Sequence, residues 1–291
     1  MTAQITHFFD PTTCTYSYIV RDMASGACAI IDAVLDYDPA SGCVSTHAAD
    51  QIIAHVRENK LTVEWVLDTH IHADHLSAGR HIQQQLGGLT AIGRGTPEVQ
   101  QTFARRFNID MPTDGSQYDR LLSSDTEFRV GELSGKILAT PGHTPGCVTY
   151  LFPGMAFVGD TLFMPDYGTA RTDFPGGDAA TLYASIQKIF SLPENTRLYL
   201  CHDYLSDNRS EYCNVSTVAE QRETNIHIRF GISAEEFVAN REARDSELSA
   251  PKLLLPAVQF NIQGGNFPEP ESNATRYFKI PLNLSALRSE R

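Results

Sequence analysis

The sequence contains no apolar run that approaches the roughly 18 to 20 residues of a membrane-spanning helix. Its first residues also lack the basic segment and following apolar segment that a secretory signal would show. We therefore expect a cytoplasmic location and no membrane partner. Positive charge is scarce as well. There are 23 Lys and Arg residues against 35 Asp and Glu, and the net charge of −12 disfavours nucleic acid as a partner.

Cysteine is present but not in a pattern that indicates disulfides or a zinc-binding module. The six cysteines include no CxxC pair, and a chain of 291 residues can bury a core without disulfides. We therefore expect reduced thiols. Internal repeats and low-complexity segments are absent too. The composition, with 42% hydrophobic and 20% charged residues, is that of a globular protein and excludes a wholly disordered chain.

Strand-like and helix-like segments alternate along the chain. Residues 15–20 and 27–32 predict a β-hairpin, and later β-branched and aromatic segments predict strands in two groups. Helical patterns follow each group, with capping residues at Ser45 or Thr46, at Asp178 and at Ser233. The predicted fold is an α/β sandwich, two mixed sheets packed face to face with helices outside. We expect a main domain of residues 1–250 and an extension, residues 251–291, that is mostly irregular and packs on the domain or at an interface.

The most informative stretch is THIHADH, residues 69–75, where a predicted strand gives way to a loop. On an extended backbone His70 and His72 project to the same side, and the following turn can bring Asp74 and His75 into the same volume. Nitrogen and oxygen donors in this mixture suit Zn²⁺ and Fe²⁺. This spacing favours a metal site over a histidine-rich surface loop without a role.

Three further donors lie at strand ends. His143 is in the loop PGHTPG, residues 141–146, and Asp160 and His202 each end a predicted buried strand. Each alone could serve a turn, a cap or the core. Together with residues 70–75 they predict a metal centre at one rim of the two sheets. The remaining histidines are predicted to be surface or packing residues: His7, His47, His55, His81 and His227.

These segments together resemble the metallo-β-lactamase superfamily, whose fold is an αββα sandwich. Within it the sequence is most similar to persulfide dioxygenases, also called sulfur dioxygenases, and next to glyoxalase II hydrolases. The similarity spans about residues 6–245 and includes FFDPTTCTYSYIV, THIHADHLSAG, TPGHTPGCVTYLF and the HDY segment at His202. The segment Arg171-Thr172-Asp173-Phe174 favours the dioxygenase over the hydrolase.

The resemblance implies a non-haem dioxygenase that binds one Fe(II) per chain through His70, His143 and Asp160. Two histidines and one carboxylate leave coordination positions open for two reactants. The implied reaction oxidises the outer sulfur of glutathione persulfide with O₂ to sulfite and releases glutathione. His72, Asp74, His75 and His202 then orient ligands or meet substrate, or they hold a second metal, giving two zinc or iron ions. The predicted substrate contacts are Arg171, Tyr204 and Arg222, with a salt bridge to Asp173 as the alternative for Arg171 and a solvated helix face for Arg222.

The sequence departs from the family pattern at three places. Ala170 stands where the family has glycine before the arginine, residues 205–214 resemble an insertion, and the extension has no counterpart in shorter members. The extension favours a homodimer. The alternative functions are a dinuclear glyoxalase II-like hydrolase of S-lactoylglutathione, a β-lactamase, and a non-enzymatic binding or regulatory domain stabilised by metal.

Overall fold

The computed structural model describes residues 2–124 and 126–282, and two six-stranded sheets form the centre of this part of the chain. The strands of the first sheet are, in spatial order, β1 (Ala3–Asp10), β2 (Thr15–Asp22), β3 (Ala27–Ile31), β6 (Thr62–Leu67), β8 (Leu89–Gly93) and β9 (Arg120–Leu122). The predicted hairpin is confirmed as β2 and β3, which pair antiparallel. From β3 to β9 the neighbouring strands run parallel.

The second sheet is built from the middle of the chain. Its strands follow one another in space as in sequence: β10 (Glu127–Val130), β11 (Leu133–Ala139), β12 (Val148–Phe152), β13 (Met155–Phe157), β14 (Arg197–Tyr199) and β15 (Val215–Thr217). All pairs are antiparallel except β13 with β14. A small third sheet joins β4 (Val34–Asp38), β5 (Cys43–Ser45) and β7 (Leu76–Ser77). Both large sheets are therefore mixed, as predicted.

Helices cover the outer faces of the two sheets. Against the first sheet lie α1 (His47–Glu58), α2 (Gly79–Leu86) and α7 (Leu254–Asn261), with α3 (Thr96–Phe107) beside α7. Against the second lie α4 (Ala179–Phe190), α5 (Val218–Thr224) and α6 (Ala234–Glu247). Within residues 2–124 and 126–282, no helix combines the length and the apolar character needed to cross a membrane. The predicted αββα sandwich is confirmed.

In the first sheet, β2 and β3 are buried on both faces, and β3 (ACAII) is accordingly apolar throughout. On β2, Tyr18 and Val20 face the second sheet, whereas Ile19 between them faces the outer helices. The Tyr18 hydroxyl donates to the carbonyl of Leu200 at 2.5 Å, and the Tyr150 hydroxyl donates to the carbonyl of Asp68 at 2.8 Å. These hydrogen bonds satisfy buried polar groups across the interface between the sheets and fix the ends of β6 and β14 at the same rim.

Two of the predicted helix caps are present. The Asp178 carboxylate accepts from the amide of Thr181, and the Ser233 hydroxyl accepts from the amide of Glu236. Thr46 occupies the N-cap position of α1 but makes no capping bond, because its hydroxyl donates to the Asp50 carboxylate at 2.7 Å. The prediction of a capping side chain at this helix was therefore wrong for Thr46.

The described part of the extension, residues 251–282, is mostly irregular as predicted, but it also contains α7, which the sequence analysis did not predict. Pro256 is the third residue of this helix, and proline is tolerated in the first turn because the amide it lacks would have no helical partner. Ala257 and Phe260 are buried against the first sheet. The part of the extension from residue 283 onward lies outside the described residues.

Candidate metal centre

Donor side chains from both sheets meet at one rim of the sandwich. His70, His72, Asp74 and His75 follow β6; His143 comes from the loop between β11 and β12; Asp160 follows β13; His202 follows β14. The structure thus brings together every metal donor that the sequence predicts. All are buried except Asp74, which is partly exposed.

The first donor group is His70, His143 and Asp160, whose ligand atoms lie within 4.8 Å of one another. The Asp160 Oδ2 atom is 3.8 Å from His70 Nε2 and 3.7 Å from His143 Nε2. The other nitrogen of each ring has a partner: His143 Nδ1 donates to the carbonyl of Arg171 at 2.8 Å, and His70 Nδ1 lies 3.0 Å from the Thr69 hydroxyl. These contacts leave both Nε2 atoms free to bind a metal.

A second donor group, His72, Asp74 and His75, lies beside the first, with ligand atoms again within 4.8 Å of one another. His202 connects the two groups, since its Nε2 atom is 3.2 Å from Asp74 Oδ2 and 3.2 Å from Asp160 Oδ1. His75 Nδ1 donates to the carbonyl of Leu76 at 3.0 Å, which leaves its Nε2 directed at the group. These four residues have the composition of a second metal site.

Buried nitrogen atoms without partners indicate that the cluster fits a metal. His70 Nε2, His72 Nδ1 and His75 Nε2 are each buried and have no hydrogen-bond partner among the described residues. Such an atom costs about 1 to 3 kcal/mol when it is left unpaired. Three unpaired imidazole nitrogens beside two carboxylates match the donor types that Zn²⁺ or Fe²⁺ prefers, and a bound cation would remove that cost.

The charges in the cluster depend strongly on one another. Burial keeps the pKa of His70 well below its ordinary value, and burial together with the nearby His72 lowers the pKa of His75 to about 4. Burial also opposes a charge on His202, but Asp74 and Asp160 outweigh it and raise the pKa of His202 to about 10. Despite its own burial, Asp160 has a pKa well below its ordinary value because of His202 and His70. At neutral pH His202 is therefore protonated. A cation that binds between Asp74 and Asp160 has to displace the proton of His202.

Asp32, which follows β3, binds the loop that carries His70 and His72. The sequence analysis did not identify this residue. Its carboxylate accepts from the Thr69 amide at 2.7 Å, from the Thr69 hydroxyl at 2.9 Å and from His72 Nε2 at 3.0 Å. Burial would lower the pKa of His72, but Asp32 outweighs it and raises that pKa to about 9. Thr69 also contacts Gly159, which has φ +53°, and a Cβ there would lie 2.6 Å from the Thr69 hydroxyl. The positions of His70 and Asp160 are therefore coupled through this contact.

Asn261, at the end of α7, holds the same loop from the outside. Its amide nitrogen donates to the carbonyls of His72 and His75, each at 2.8 Å, and its Oδ1 accepts from the amide of Ser77 at 2.8 Å. The side chain is buried, so these bonds do not compete with water. The C-terminal extension is thus part of the metal centre's support. No sequence signal pointed to this asparagine.

A cavity of about 520 Å³ opens next to the cluster, and His143, Asp160 and Asp74 line its inner end. This volume lies within the usual range of small-molecule sites. Tyr204 lines the cavity and stacks on His202, with ring centroids 5.4 Å apart. The structure therefore places Tyr204, one of the predicted substrate contacts, beside the metal donors.

The two predicted arginine contacts differ in position. Arg171 lines the cavity, but its guanidinium binds Asp173 at 2.6 and 2.7 Å and the carbonyl of Ser249 at 2.7 Å. The alternative of a salt bridge to Asp173 is therefore present in the structure. Arg222 is not among the described residues that line the cavity, and it lies 3.7 Å from Glu194. The neighbouring Gln221 is buried and donates to the carbonyl of Phe163, whereas the Arg222 side chain is 40% exposed, in agreement with the alternative of a solvated helix face.

The segment of residues 205–214, predicted to be an insertion, is bound to the rim by one arginine. Arg209 forms a fork on the Asp203 carboxylate at 2.5 and 2.7 Å and binds Asp166 at 2.6 Å. Asp203 also accepts from the amide of Cys213 at 2.7 Å. Since Asp203 lies between His202 and Tyr204 in sequence, these contacts fix the segment that carries the metal donor His202 and the cavity residue Tyr204.

His227 packs against the loop that precedes Arg171, as predicted for a packing residue. Its Nδ1 accepts from the amide of Thr169 at 3.0 Å, and a Cβ at Gly168, φ +99°, would lie 2.1 Å from this nitrogen. Burial, followed by Arg241 and Arg244, lowers the pKa of His227 to about 4. The folded protein therefore needs the neutral ring.

We expect His227 to make the protein less stable in acid. Its folded pKa of about 4 lies below the ordinary value of 6.5, so the unfolded chain takes up the proton first, and stability is lost as pH falls from about 6.5 to about 4. Urea midpoints of the wild type and of His227→Gln, which keeps an acceptor but does not titrate, measure this effect. The wild type should lose more stability than the variant over that window. If the urea midpoints of the wild type and the variant fall in parallel as the pH is lowered, His227 is not the group responsible.

Comparison with known proteins agrees with the fold. The sequence profile of the metallo-beta-lactamase superfamily matches residues 14–202. The chain belongs to this superfamily. It is 31% identical to ETHE1 from Myxococcus xanthus, whose crystal structure it matches with a TM-score of 0.74 over 91% of this chain and 100% of the other.

Relatives with different names match most of the chain in sequence. A protein of Burkholderia pseudomallei named as a probable metallo-hydrolase is 52% identical over 95% of this chain and 98% of its own length. Glyoxylase B2 of Dictyostelium discoideum is 46% identical over 97% of each chain. The mitochondrial persulfide dioxygenase ETHE1 of Mus musculus is 34% identical over 88% of this chain and 87% of its own. Three further bacterial relatives are longer, and this chain spans 64–65% of their length. The predicted similarity to persulfide dioxygenases is confirmed.

Proposed function

We propose that this protein is an iron-dependent persulfide dioxygenase that oxidises the outer sulfur of glutathione persulfide to sulfite. In the overall reaction the outer sulfur loses four electrons to O₂, water supplies the third oxygen of sulfite, and glutathione is released. The observation that carries the proposal is the meeting of His70, His143 and Asp160 at the inner end of the cavity. Two histidines and one carboxylate are the ligand set of non-haem Fe(II) oxygenases.

When bound, ferrous iron supplies open coordination positions and the capacity to activate O₂. The protein's own contribution is to hold the donors. His143 is fixed by the Arg171 carbonyl and by the Phe174 ring, whose centroid is 5.4 Å away in an edge-to-face contact. The Arg171 guanidinium lies 5.0 Å from the Phe174 ring. The segment that distinguished the dioxygenases in the sequence thus buttresses a donor histidine, which supports the proposal.

Metal analysis and oxygen uptake test this function directly. Protein expressed without added metal should contain about one iron per chain. When glutathione persulfide is prepared without air and then added to this protein in aerated buffer, O₂ should be consumed. Sulfite and glutathione should appear in equal amounts. Protein that binds zinc and takes up no oxygen would rule the proposal out.

A second candidate, a glyoxalase II-like hydrolase, is favoured by the second donor group and by the names of two relatives. His72, Asp74, His75 and His202 could hold a second metal, and the relatives named as a metallo-hydrolase and Glyoxylase B2 are more than 45% identical to this chain. A dinuclear enzyme should contain two metals per chain and hydrolyse S-lactoylglutathione without O₂. A closed structural metal site is disfavoured, because the donors open onto a cavity and are not thiolate-rich.

A further inference from the structure

We propose that Tyr37 is a wall of the cavity that contacts the peptide chain of the substrate, and that Phe278 of the C-terminal extension positions it. This inference rests on the proposed function, since it names how part of that substrate is recognised. Tyr37 and the nearby Pro39 line the cavity. Phe278 is not among the described residues that line it, and its ring contacts Tyr37 from outside the cavity.

Tyr37 lies on the part of β4 that projects beyond the rest of its small sheet. The first half of β4 pairs with β7, which directly follows the donor His75. Residues 36–38 pair only with β5 among the described strands. Asp36 is also bound to α1, because its carboxylate accepts from the Ala48 amide at 3.0 Å. A two-stranded ribbon is only marginally stable by itself in water, so the position of Tyr37 depends on what packs against its ring.

Phe278 supplies this packing from a fixed position. The rings of Tyr37 and Phe278 meet edge to face, with centroids 5.9 Å apart and planes at 87°, and both are partly buried against the core beneath α1, α2 and α7. Residues 276–282 form neither helix nor strand, but they are held at Lys279. The Lys279 amide donates to the side-chain oxygen of Gln259, and the Lys279 carbonyl accepts from its side-chain nitrogen, at 2.8 Å each. Because Gln259 is buried on α7, the extension places the Phe278 ring firmly against Tyr37.

The side chain of Tyr37 has the groups that a peptide needs. Its hydroxyl has no hydrogen-bond partner among the described residues, and a tyrosine hydroxyl can both donate and accept. Its ring offers apolar surface as well. The donors His143 and Asp160 are buried, whereas Tyr37 is partly exposed and Pro39 is exposed, so this wall lies farther out. A glutathione persulfide whose outer sulfur reaches the donors therefore places its two amide groups along this wall.

Two substrates and a double-mutant cycle test this wall. Cysteine persulfide lacks the peptide arms and is the reference substrate. Tyr37→Ala should raise the KM for glutathione persulfide about tenfold and Phe278→Ala about three- to fivefold, with kcat, iron content and the KM for cysteine persulfide unchanged. Because Phe278 acts through Tyr37, the double variant should have the same KM as Tyr37→Ala.

The controls are chosen on the same two segments. Phe278→Tyr keeps the ring and should behave as the wild type. Ile280→Ala removes an apolar side chain that is 69% exposed, two residues further along, and should also leave both KM values unchanged. Tyr37→Phe removes only the hydroxyl and should raise the KM for glutathione persulfide about threefold, which keeps the test available if Tyr37→Ala does not fold. Titration calorimetry with glutathione and with cysteine gives the same comparison without turnover.

The outcomes separate this inference from the proposed function. If the wild type oxidises glutathione persulfide and Phe278→Ala keeps the wild-type KM, the positioning role is wrong and the function stands. If the iron-loaded wild type takes up no oxygen, but Tyr37→Ala and Phe278→Ala weaken the binding of glutathione and not of cysteine, the wall is supported and the function fails. An equal rise of both KM values would indicate a general distortion of the site and would overturn the inference. Additive effects in the double variant would overturn it too, since Phe278 would then act independently of Tyr37.

Discussion

An Asp160→Asn variant should purify with a small fraction of the wild-type iron and should show no oxygen uptake above background. Asp160 is the only carboxylate in the first donor group, and it contributes a negative charge next to His70 and His143. Changing residues that merely support metal ligands already costs about 10- to 100-fold in affinity or activity, and loss of a charged ligand should cost at least as much. Elemental analysis and an oxygen electrode measure the two effects.

The matched control for this change is Asp178→Asn. It makes the same chemical substitution at the N-cap of α4, where asparagine caps as well as aspartate does. The control should keep wild-type iron and rate. An Asp160→Asn protein with full iron and full rate would show that the donor assignment is wrong.

An Asn261→Ala variant should be less stable by about 3 to 5 kcal/mol and should bind metal more weakly. The change removes three buried hydrogen bonds and leaves two carbonyls and the Ser77 amide without partners, at a cost of about 1 to 3 kcal/mol for each group. For a chain of this size, that loss corresponds to a fall in Tm on the order of 6 to 12 °C. Thermal unfolding with and without iron, and competition with a chelator, measure the two effects.

Asn266→Ala provides the control within the same extension. Asn266 is exposed and its amide donates to the carbonyl of Gln263, so its loss should change the free energy of unfolding by less than about 0.5 kcal/mol. Equal unfolding temperatures for the two variants would contradict the role assigned to Asn261. If added iron restores the stability of Asn261→Ala while the chelator shows that this variant binds iron more weakly than the wild type, the role assigned to Asn261 is supported.

The sequence carries the donor set because metal ligands must be particular residue types at particular strand ends. The motif at residues 69–75, the loop around His143 and the two strand ends at Asp160 and His202 were therefore predictable, and so were the two sheets that deliver them. The pair Arg171 and Asp173 was also foreseeable as an alternative, because residues two apart in an irregular segment can meet.

The supporting residues were not predictable for physical reasons. Asp32 is a single aspartate after a strand, with φ +52°, and nothing in its neighbours indicates that His72 will face it. Asn261 acts on a loop 186 residues away, so no local pattern can show the contact. The sequence did not predict helix α7, because Pro256 and the Gly264–Gly265 pair after the helix are typical of irregular structure. Its burial against the first sheet, a tertiary effect, decides its structure.

The donors come from two different sheets, and this has a consequence for the folded state as a whole. A cation held by His70 from one layer and by His143 and Asp160 from the other is a cross-link between the halves of the sandwich. Its binding free energy adds to the free energy of unfolding, by an amount that grows with the logarithm of the free metal concentration. We therefore expect the metal-free protein to unfold more readily and to be cleaved faster by a protease than the metal-loaded protein.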